Sequence, residues 1–272
     1  VAHTVLFITV AGAMSAAPKA SRLPKPCWPA LMFDSVGPRL FALPPGADFP
    51  ARLVEGLQAR MLGKPPEAMA RVQLFVNTER MRRRMTNLFT AQGAGFLPRI
   101  RLVTDLAPEA ALAGLPHAVP ALRRRLELTQ LVSRLLDSAP DLAPRAALYD
   151  LADSLATLMD EMQGEGVSPD RIATLDVSDH SAHWQRTQSF MTIVAPFFSG
   201  AEAPDSESRQ RMAVTALAAA WESDPPQDPV IIAGSTGSRG TTALFMPAVA
   251  KRPPGALILP GAVNITCTTN DC

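Results

Sequence analysis

Residues 229–250 read PVIIAGSTGSRGTTALFMPAVA, and this stretch decides the fold class of the chain. It opens at 230–233 with four apolar residues, mostly β-branched, as in a strand that is buried on both faces. A loop of small residues follows at 234–240, and Thr241 and Thr242 are positioned to cap a helix. A strand, a glycine-rich loop and a helix in this order indicate an α/β protein with a parallel sheet.

Two roles are open to this glycine-rich loop. In α/β proteins such a loop binds phosphate, because backbone N–H groups converge at the positive end of the helix dipole. A Walker-type loop also needs a lysine before its Ser or Thr, and here Gly240 precedes Thr241. A tight strand-to-helix connection is therefore the favoured interpretation. If the loop does bind a nucleotide, the residues involved are Gly234, Ser235, Thr236, Gly237, Ser238 and Arg239.

The overall composition excludes several classes of protein. The 272 residues carry a net charge of +1, so bulk electrostatics gives no argument for nucleic-acid binding. The three cysteines form no CxxC pair or His/Cys cluster, so the sequence supports neither a zinc site nor a disulfide framework. No apolar run reaches the length of a membrane span, so we expect no membrane association.

The two ends of the chain lack the pattern of a folded domain. Residues 1–17 combine an apolar core with small residues, like a secretory signal, but no Lys or Arg precedes that core. The alternative is upstream sequence read into the chain, and it is favoured because Met32 directly precedes the first folded segment. Residues 18–38 are interpreted as a linker, and residues 262–272 show neither strand nor helix periodicity.

Hydrophobic periodicity divides the rest of the chain into two kinds of region. The α/β elements are predicted strands at 39–43, 72–76, 97–103, 230–233 and 255–261, with helices at 49–61 and 79–89. Between residues 120 and 225 lie only helical segments, predicted at 123–136, 144–161, 184–198 and 209–221. The predicted fold is therefore an α/β parallel sheet interrupted by an all-helical insertion. Carboxylates in the insertion scatter around their helix, so neither a metal site nor a catalytic residue is predicted.

A basic helix follows the second predicted strand. The helix over 79–89 places Arg80, Arg83 and Arg84 on one face, opposite an apolar stripe. One interpretation is a solvated basic face. The functional alternative is contact with a phosphate backbone, for which guanidinium groups and helix N-termini are suited. With two arginines on one side of the third strand, the candidate DNA-binding residues are Asn77, Thr78, Arg80, Arg83, Arg84, Arg99 and Arg101.

Several stretches together resemble the AddB subunit of the bacterial AddAB helicase–nuclease, in its alphaproteobacterial form. They are FALPPGADFP at 41–50, VNTERMRRRM at 76–85, LPRIRLVTDL at 97–106, LRRRLELTQLVSRLL at 122–136, ALYDLADSLATLMDEMQGEGVSP at 147–169, DVSDHSAHWQRT at 176–187, IIAGSTGSRGTTALFMPAVA at 231–250 and LILPG at 257–261. No single motif is diagnostic, but the order and spacing make the group specific. The match runs from about Met32 to Gly261.

The resemblance implies a fold and a function. The fold is an incomplete RecA-like core, similar to superfamily 1 helicases, at 32–119 and 226–261, with the helical insertion at 120–225. Residues 1–31 and 262–272 then lie outside the family match. AddB works with AddA in the cytoplasm to process double-strand DNA ends for recombinational repair, and its helicase half is generally degenerate. We therefore expect a non-catalytic DNA-contacting module, with DNA and AddA as partners.

The resemblance also implies where cofactors belong. ATP and Mg²⁺ would be used by AddA, because the loop at 44–48 lacks a lysine and Gly234 and Ser235 stand where an active ATPase has acids. The metal site and iron–sulfur cluster of the family belong to a nuclease domain expected beyond residue 272, so Cys267 and Cys272 are not expected to be cluster ligands. Two other hypotheses remain, a nucleotide-binding ATPase that uses residues 234–242 and a structural docking module for AddA.

Overall fold

The computed structural model describes residues 38–106, 114–173, 190–191, 193–198 and 203–261. The predictions made for residues 1–31 and 262–272, and for residues 184–189 and 192 of the helix expected at 184–198, lie outside these ranges. None of the helices in the described ranges is both long and apolar enough to cross a membrane.

The centre of the molecule is a five-stranded, all-parallel sheet. Its strands are β1 Leu40–Leu43, β2 Gln73–Val76, β3 Arg99–Leu102, β4 Val230–Ala233 and β5 Gly255–Pro260. They lie in the order β1-β5-β4-β2-β3, so β4 is in the middle and is buried at all four residues. The five predicted strands and the α/β class with a parallel sheet are confirmed.

The helices are longer than the sequence predicted in most cases. They are α1 Phe49–Met61, α2 Glu67–Arg71, α3 Glu79–Thr90, α4 Ala121–Ser138, α5 Leu148–Glu165, α6 Pro169–Ala173, α7 Ser206–Ser223 and α8 Gly240–Ala250. The bounds of α1 are those predicted, whereas α2 was not predicted. α5 begins only after a short 3-10 turn at Arg145–Ala147. Its C-terminal cap is Gly166, which adopts a left-handed conformation with φ 70°.

Helices cover both faces of the sheet. On one face, α1 and α3 pack against Leu74, Ile231 and Ile258. On the other face, α7 and α8 pack against Phe75 and Ile232, and the Phe75 and Phe245 rings meet edge to face with centroids 5.2 Å apart. The connections through α1 and α3 lead from β1 to β2 and on to β3, toward one edge of the sheet. The connections through α7 and α8 lead from β3 to β4 and on to β5, back toward the other edge. Because crossovers between parallel strands keep one hand, connections in opposite directions place their helices on opposite faces.

A third core lies within the helical region. Here α4 and α5 pack together around fully buried residues such as Leu128, Val132 and Met159, with Val194 contributing from the following segment. Helix α7 belongs to the sheet layer as well, because Val214, Leu217 and Trp221 are buried in the core on the α8 face. The last helix of the predicted insertion therefore packs directly on the sheet, an arrangement that the sequence pattern did not indicate.

Candidate functional site

Three strand-to-helix junctions meet at one edge of the sheet. The carboxyl ends of β1, β2 and β4 lead into α1, α3 and α8 respectively. In open α/β sheets this edge is where ligands bind, since the helix N-termini direct their free N–H groups toward it. The partners of those N–H groups therefore indicate whether a phosphate could bind here.

The N-terminus of α8 is occupied by a carboxylate of the same chain. The backbone N–H of Gly240 donates to Oε1 of Glu165, at the end of α5, over 2.7 Å. The Thr241 hydroxyl donates to the Gly164 carbonyl at 3.2 Å. A Cβ added at Gly240 would lie 2.8 Å from both the Gly164 oxygen and the Glu165 Cα, so only glycine fits. Glu165 thus stands where a phosphate would bind to this helix.

This contact corrects one sequence prediction. Thr241 and Thr242 were expected to cap α8, but the helix already begins at Gly240 and both threonines are buried in its first turn. Arg239 is at the capping position and makes no side-chain capping bond. The cap comes instead from Glu165, which precedes Gly240 by 75 residues in the chain.

The glycine-rich loop makes mostly internal contacts. Gly234 has a φ of 77°, and its carbonyl accepts a hydrogen bond from Nδ2 of Asn77 at 2.7 Å. The Ser235 hydroxyl accepts from the N–H of Gly237 at 3.4 Å. Thr236 and Ser238 are exposed, as is Arg239, which lies 3.9 Å from Glu207. The predicted nucleotide-binding residues therefore form a tight connection that Asn77 ties to β2.

The cleft beside this loop is acidic. It has a volume of about 510 Å³, and its charged lining residues are Asp160, Glu161, Glu165, Glu207 and Arg239. Desolvation raises the pKa of the Asp160 carboxyl, and repulsion from Glu207 and Asp205 raises it further. A nucleotide polyphosphate entering this cleft would meet four carboxylates and one guanidinium, and it would have to displace Glu165 from α8.

The other two junctions are also capped internally. Asp48 Oδ1 accepts from the N–H of Ala51 at 3.3 Å, and Asp48 Oδ2 lies 3.0 Å from Nη2 of Arg84. At α3, the Thr78 hydroxyl accepts from the N–H of Met81 at 3.2 Å. Asn77 therefore bonds the Gly234 carbonyl after β4, Thr78 caps α3, and Arg84 pairs with the Asp48 carboxylate that caps α1.

Helix α3 carries an exposed excess of positive charge. Glu79 accepts hydrogen bonds from Arg82 at 2.7 Å and 2.8 Å and from Arg83 at 2.9 Å. The hydrogen bond from Arg82 lowers the pKa of the Glu79 carboxyl most, and the bond from Arg83 lowers it further. Arg83 is nonetheless 77% exposed, and Arg80 is exposed on the preceding turn. One carboxylate thus pairs with two of these three guanidinium groups.

A groove lies between α3 and the start of β3. It has a volume of about 620 Å³, and Arg82, Arg83 and Asn87 line one side while Leu97 and Pro98 line the other. Phe96, in the glycine-containing loop before β3, is 58% exposed. Arg82 and Phe96 were not predicted as site residues from the sequence. The signal for Phe96 was an aromatic residue that directly follows Gly93 and Gly95 in a loop, where no core position is expected.

The sheet separates the two predicted groups of arginines. Arg99 and Arg101 pair in register with Gln73 and Phe75, and Phe75 is in the core on the α7 and α8 face. Ile100 and Leu102 alternate with them and pack on the α3 face. Arg99 and Arg101 therefore share one side of the pleat, as predicted, but this is the side opposite α3. The seven candidate DNA-binding residues do not form one surface.

Comparison with known proteins adds no relative. No protein-family model matches the chain, and no curated protein matches it. Within the described ranges, no group of three or more His, Cys, Asp or Glu residues is arranged to hold a metal ion. The fold and the site define an α/β protein with a parallel sheet. The helices that follow β1, β2 and β4 are capped by groups of the same chain, and a basic groove lies beside the edge strand β3.

Proposed function

We propose that this chain is a non-catalytic nucleic-acid-contacting module that binds single-stranded DNA along the groove between α3 and β3. The observation that carries the proposal is the placement of exposed Arg82 and Arg83 on one side of the groove. Exposed Phe96 precedes the residues on the other side. Guanidinium groups that follow a phosphate backbone and an aromatic ring on which a base stacks are the two components of sequence-tolerant single-strand binding.

The capped junctions support a non-catalytic role. An active ATPase with a RecA-like core binds phosphates at the N-terminus of the helix after its first strand. It binds a metal ion through acidic residues that follow a central strand. In this chain Asp48 caps α1, Glu165 caps α8, and Gly234 and Ser235 follow β4. The helix termini are thus used for internal contacts, as expected of a degenerate motor domain.

The sheet topology supports an origin in a RecA-like core. Strand β1 would carry the phosphate loop of an active ATPase and β4 its acids, and only β5 lies between them in one parallel sheet. Together with the resemblance to AddB, this favours a role in processing DNA ends beside an AddA partner in the cytoplasm. In that proposal AddA supplies ATP-driven movement, and the nuclease metal and iron–sulfur cluster belong to the AddB nuclease domain.

A titration tests the proposed DNA contact. Fluorescence anisotropy of a labelled oligothymidylate is measured with the full chain at low and moderate salt. We expect weak binding that declines with salt, and each of Arg82→Ala and Arg83→Ala reduces the salt slope by about one. Phe96→Ala weakens binding at every salt concentration, by about 1–3 kcal/mol, because it removes a stacking surface.

Arg99→Ala is the matched control for these variants. It removes an exposed arginine from the opposite face of the sheet, so its affinity and salt slope should equal those of the unmodified chain. Absence of binding at low salt contradicts the proposal. So does a loss in Arg99→Ala as large as that in Arg83→Ala, because the contact would then not lie on the α3 face.

A further inference from the structure

The acidic cleft beside α8 holds more negative charge than its own residues neutralise. Its carboxylates are Asp160, Glu161 and Glu165 on α5 and Glu207 on α7, and they face one guanidinium group, that of Arg239. Asp160 and Glu161 make no ion pair or hydrogen bond with any described residue. The excess charge of the cleft therefore favours a cationic ligand.

The surroundings of Asp160 show that this charge is not compensated. Burial raises the pKa of its carboxyl, and repulsion from Glu207 and then from Asp205 raises it further. A cation close to a carboxylate has the opposite effect, because it stabilises the charged form. A positively charged group entering the cleft would thus relieve a repulsion that the described residues leave in place.

A buried hydroxyl indicates a ligand independently of the carboxylates. Thr242, in the first turn of α8, lines the cleft and is only 8% exposed. Its Oγ1 has no hydrogen-bond partner among the described residues, which is unusual for a side chain buried to this degree. The oxygen is not sealed from solvent, so a molecule in the cleft can reach it. The neighbouring Thr241 hydroxyl, in contrast, donates to the Gly164 carbonyl at 3.2 Å.

The remaining lining favours an aliphatic ligand with hydrogen-bond donors. Nε2 of Gln210 donates to the Val103 carbonyl at 3.0 Å, which fixes the amide and leaves its Oε1 as an acceptor. Val103 and the methyl groups of Thr104 and Thr157 supply apolar surface between the charges. None of the described lining residues is aromatic, whereas sites that select quaternary ammonium groups use aromatic rings.

We propose that the acidic cleft binds an aliphatic polyamine, whose ammonium groups pair with the carboxylates of α5 and α7 and donate to Thr242 Oγ1. Asp160 and Glu165 are five residues apart on α5, which is about 7.5 Å along the helix axis. The negative charge therefore extends along the cleft, and a chain with separated ammonium groups matches it. The site goes beyond the proposed DNA contact, because its lining comes from α5, α7, α8 and the residues after β3, and not from α3.

Amines that differ in the number of ammonium groups test the proposal. Isothermal titration calorimetry with the full chain at low salt should give saturable spermidine binding, with a Kd on the order of 0.1–1 mM. 1,4-Diaminobutane should bind more weakly, and 1-aminobutane at least about tenfold more weakly than spermidine, because fewer charged hydrogen bonds remain. Absence of saturable spermidine binding, or equal affinity for spermidine and 1-aminobutane, would overturn the proposal. Tighter binding of Mg²⁺ than of spermidine would also overturn it.

Three variants locate the binding. Glu161→Gln should weaken spermidine binding about threefold to tenfold, because it removes a carboxylate of the cleft. Glu222→Gln is the matched control, since Glu222 is also an exposed glutamate but lies at the far end of α7, outside the cleft, and binding should be unchanged. Equal losses in these two variants would overturn the proposal, because binding would then reflect overall charge alone.

Thr242→Val tests the hydroxyl contact. The change keeps the shape of the side chain and removes an unpaired hydroxyl, so the fold should be retained, as circular dichroism verifies. Spermidine should bind about threefold more weakly to this variant, because one hydrogen bond from an ammonium group is lost. Unchanged affinity in folded Thr242→Val would overturn the assignment of the ligand to this cleft.

Discussion

At the scale of single residues, the contact between Glu165 and Gly240 places a carboxylate at the α8 N-terminus in the acidic cleft. The carboxylate accepts the first N–H of α8, and Gly164 accepts from Thr241 beside it. A negative charge at this position is stabilised by the helix dipole. The same contact joins α5 to α8, so that one residue both closes a helix terminus and attaches the helical region to the sheet.

Replacement of Gly240 tests how closely the two helices approach. Alanine has a higher helix propensity than glycine, so Gly240→Ala would stabilise an isolated α8. Here the new Cβ would meet backbone atoms at 2.8 Å, and we expect a loss of about 1–3 kcal/mol in the free energy of unfolding. Urea denaturation measures this loss. Gly95→Ala, where a Cβ meets nothing within 4 Å, is the control and should change stability little. Equal effects of the two changes would contradict the close approach.

Asp160 gives the cleft a pH dependence whose expected sign follows from the direction of its pKa shift. Because its pKa is raised in the folded state, the stability that the protonated form contributes is fully present below the ordinary aspartate value of 3.8. That stability is lost as the pH rises through the higher folded value. Asp160→Asn mimics the protonated form and should therefore be more stable than the unmodified chain at about pH 7. Urea unfolding at several pH values should show this advantage decreasing toward 3.8, and a constant difference would refute it.

At the scale of elements, a buried ionic network joins three helices. Arg124 on α4 donates to Asp205 Oδ1 at 2.7 Å, and Gln163 on α5 donates to the other oxygen of the same carboxylate. Arg124 also lies 4.0 Å from the centroid of the Phe197 ring. Because Asp205 precedes the first residue of α7, the network fixes where α7 leaves the helical region before it packs on the sheet.

Removal of Asp205 should therefore be costly. In Asp205→Ala the buried Arg124 guanidinium keeps Glu127 as a partner but loses Asp205, and the buried Gln163 amide loses its acceptor, so we expect a cost of about 3 kcal/mol. Asp153→Ala breaks the ion pair with Arg125, in which both side chains are about half exposed, and should cost at most about 1 kcal/mol. Chemical denaturation compares the two variants. A cost for Asp205→Ala as small as that for Asp153→Ala would show that the network contributes little.

At the scale of the whole molecule, the sheet separates an acidic cleft from a basic groove. The basic groove lies on the α1 and α3 face, whereas the acidic cleft lies beside the α8 N-terminus. Arg99 and Arg101 are on the side of β3 opposite α3. A nucleic acid in the groove would thus follow the outer edge of the sheet and avoid the acidic cleft.

The strand order also predicts a gradient of local stability. β4 is hydrogen-bonded to β2 and β5 and is buried throughout, whereas β3 pairs only with β2 among the described strands. Opening an edge strand breaks fewer contacts than opening a central one. Amide hydrogen exchange followed by NMR or mass spectrometry should therefore be slower in Val230–Ala233 than in Arg99–Leu102. Equal protection of the two strands would contradict this order or reveal a further partner for β3.

The sequence by itself determined the elements, because hydrophobic periodicity and turn residues act over a few neighbouring positions. The five strands, the bounds of α1 and the basic face of α3 were all readable in this way. It also argued against a Walker loop, since a missing lysine is visible in the residues alone. The longer bounds of α4 and α7 were not readable, because packing against neighbouring helices stabilises their ends.

Only the tertiary structure decided what the glycine-rich loop contacts and on which side of the sheet each arginine lies. The cap on Gly240 comes from a residue 75 positions away, and no local pattern encodes such a contact. Arg83 and Arg101 looked alike as exposed cations, yet strand register places Arg101 on the side of the sheet opposite the helix that carries Arg83. Residues 229–250 therefore fixed the fold class. The arrangement of the candidate site depends on long-range packing, because packing brings together side chains that are distant in the chain.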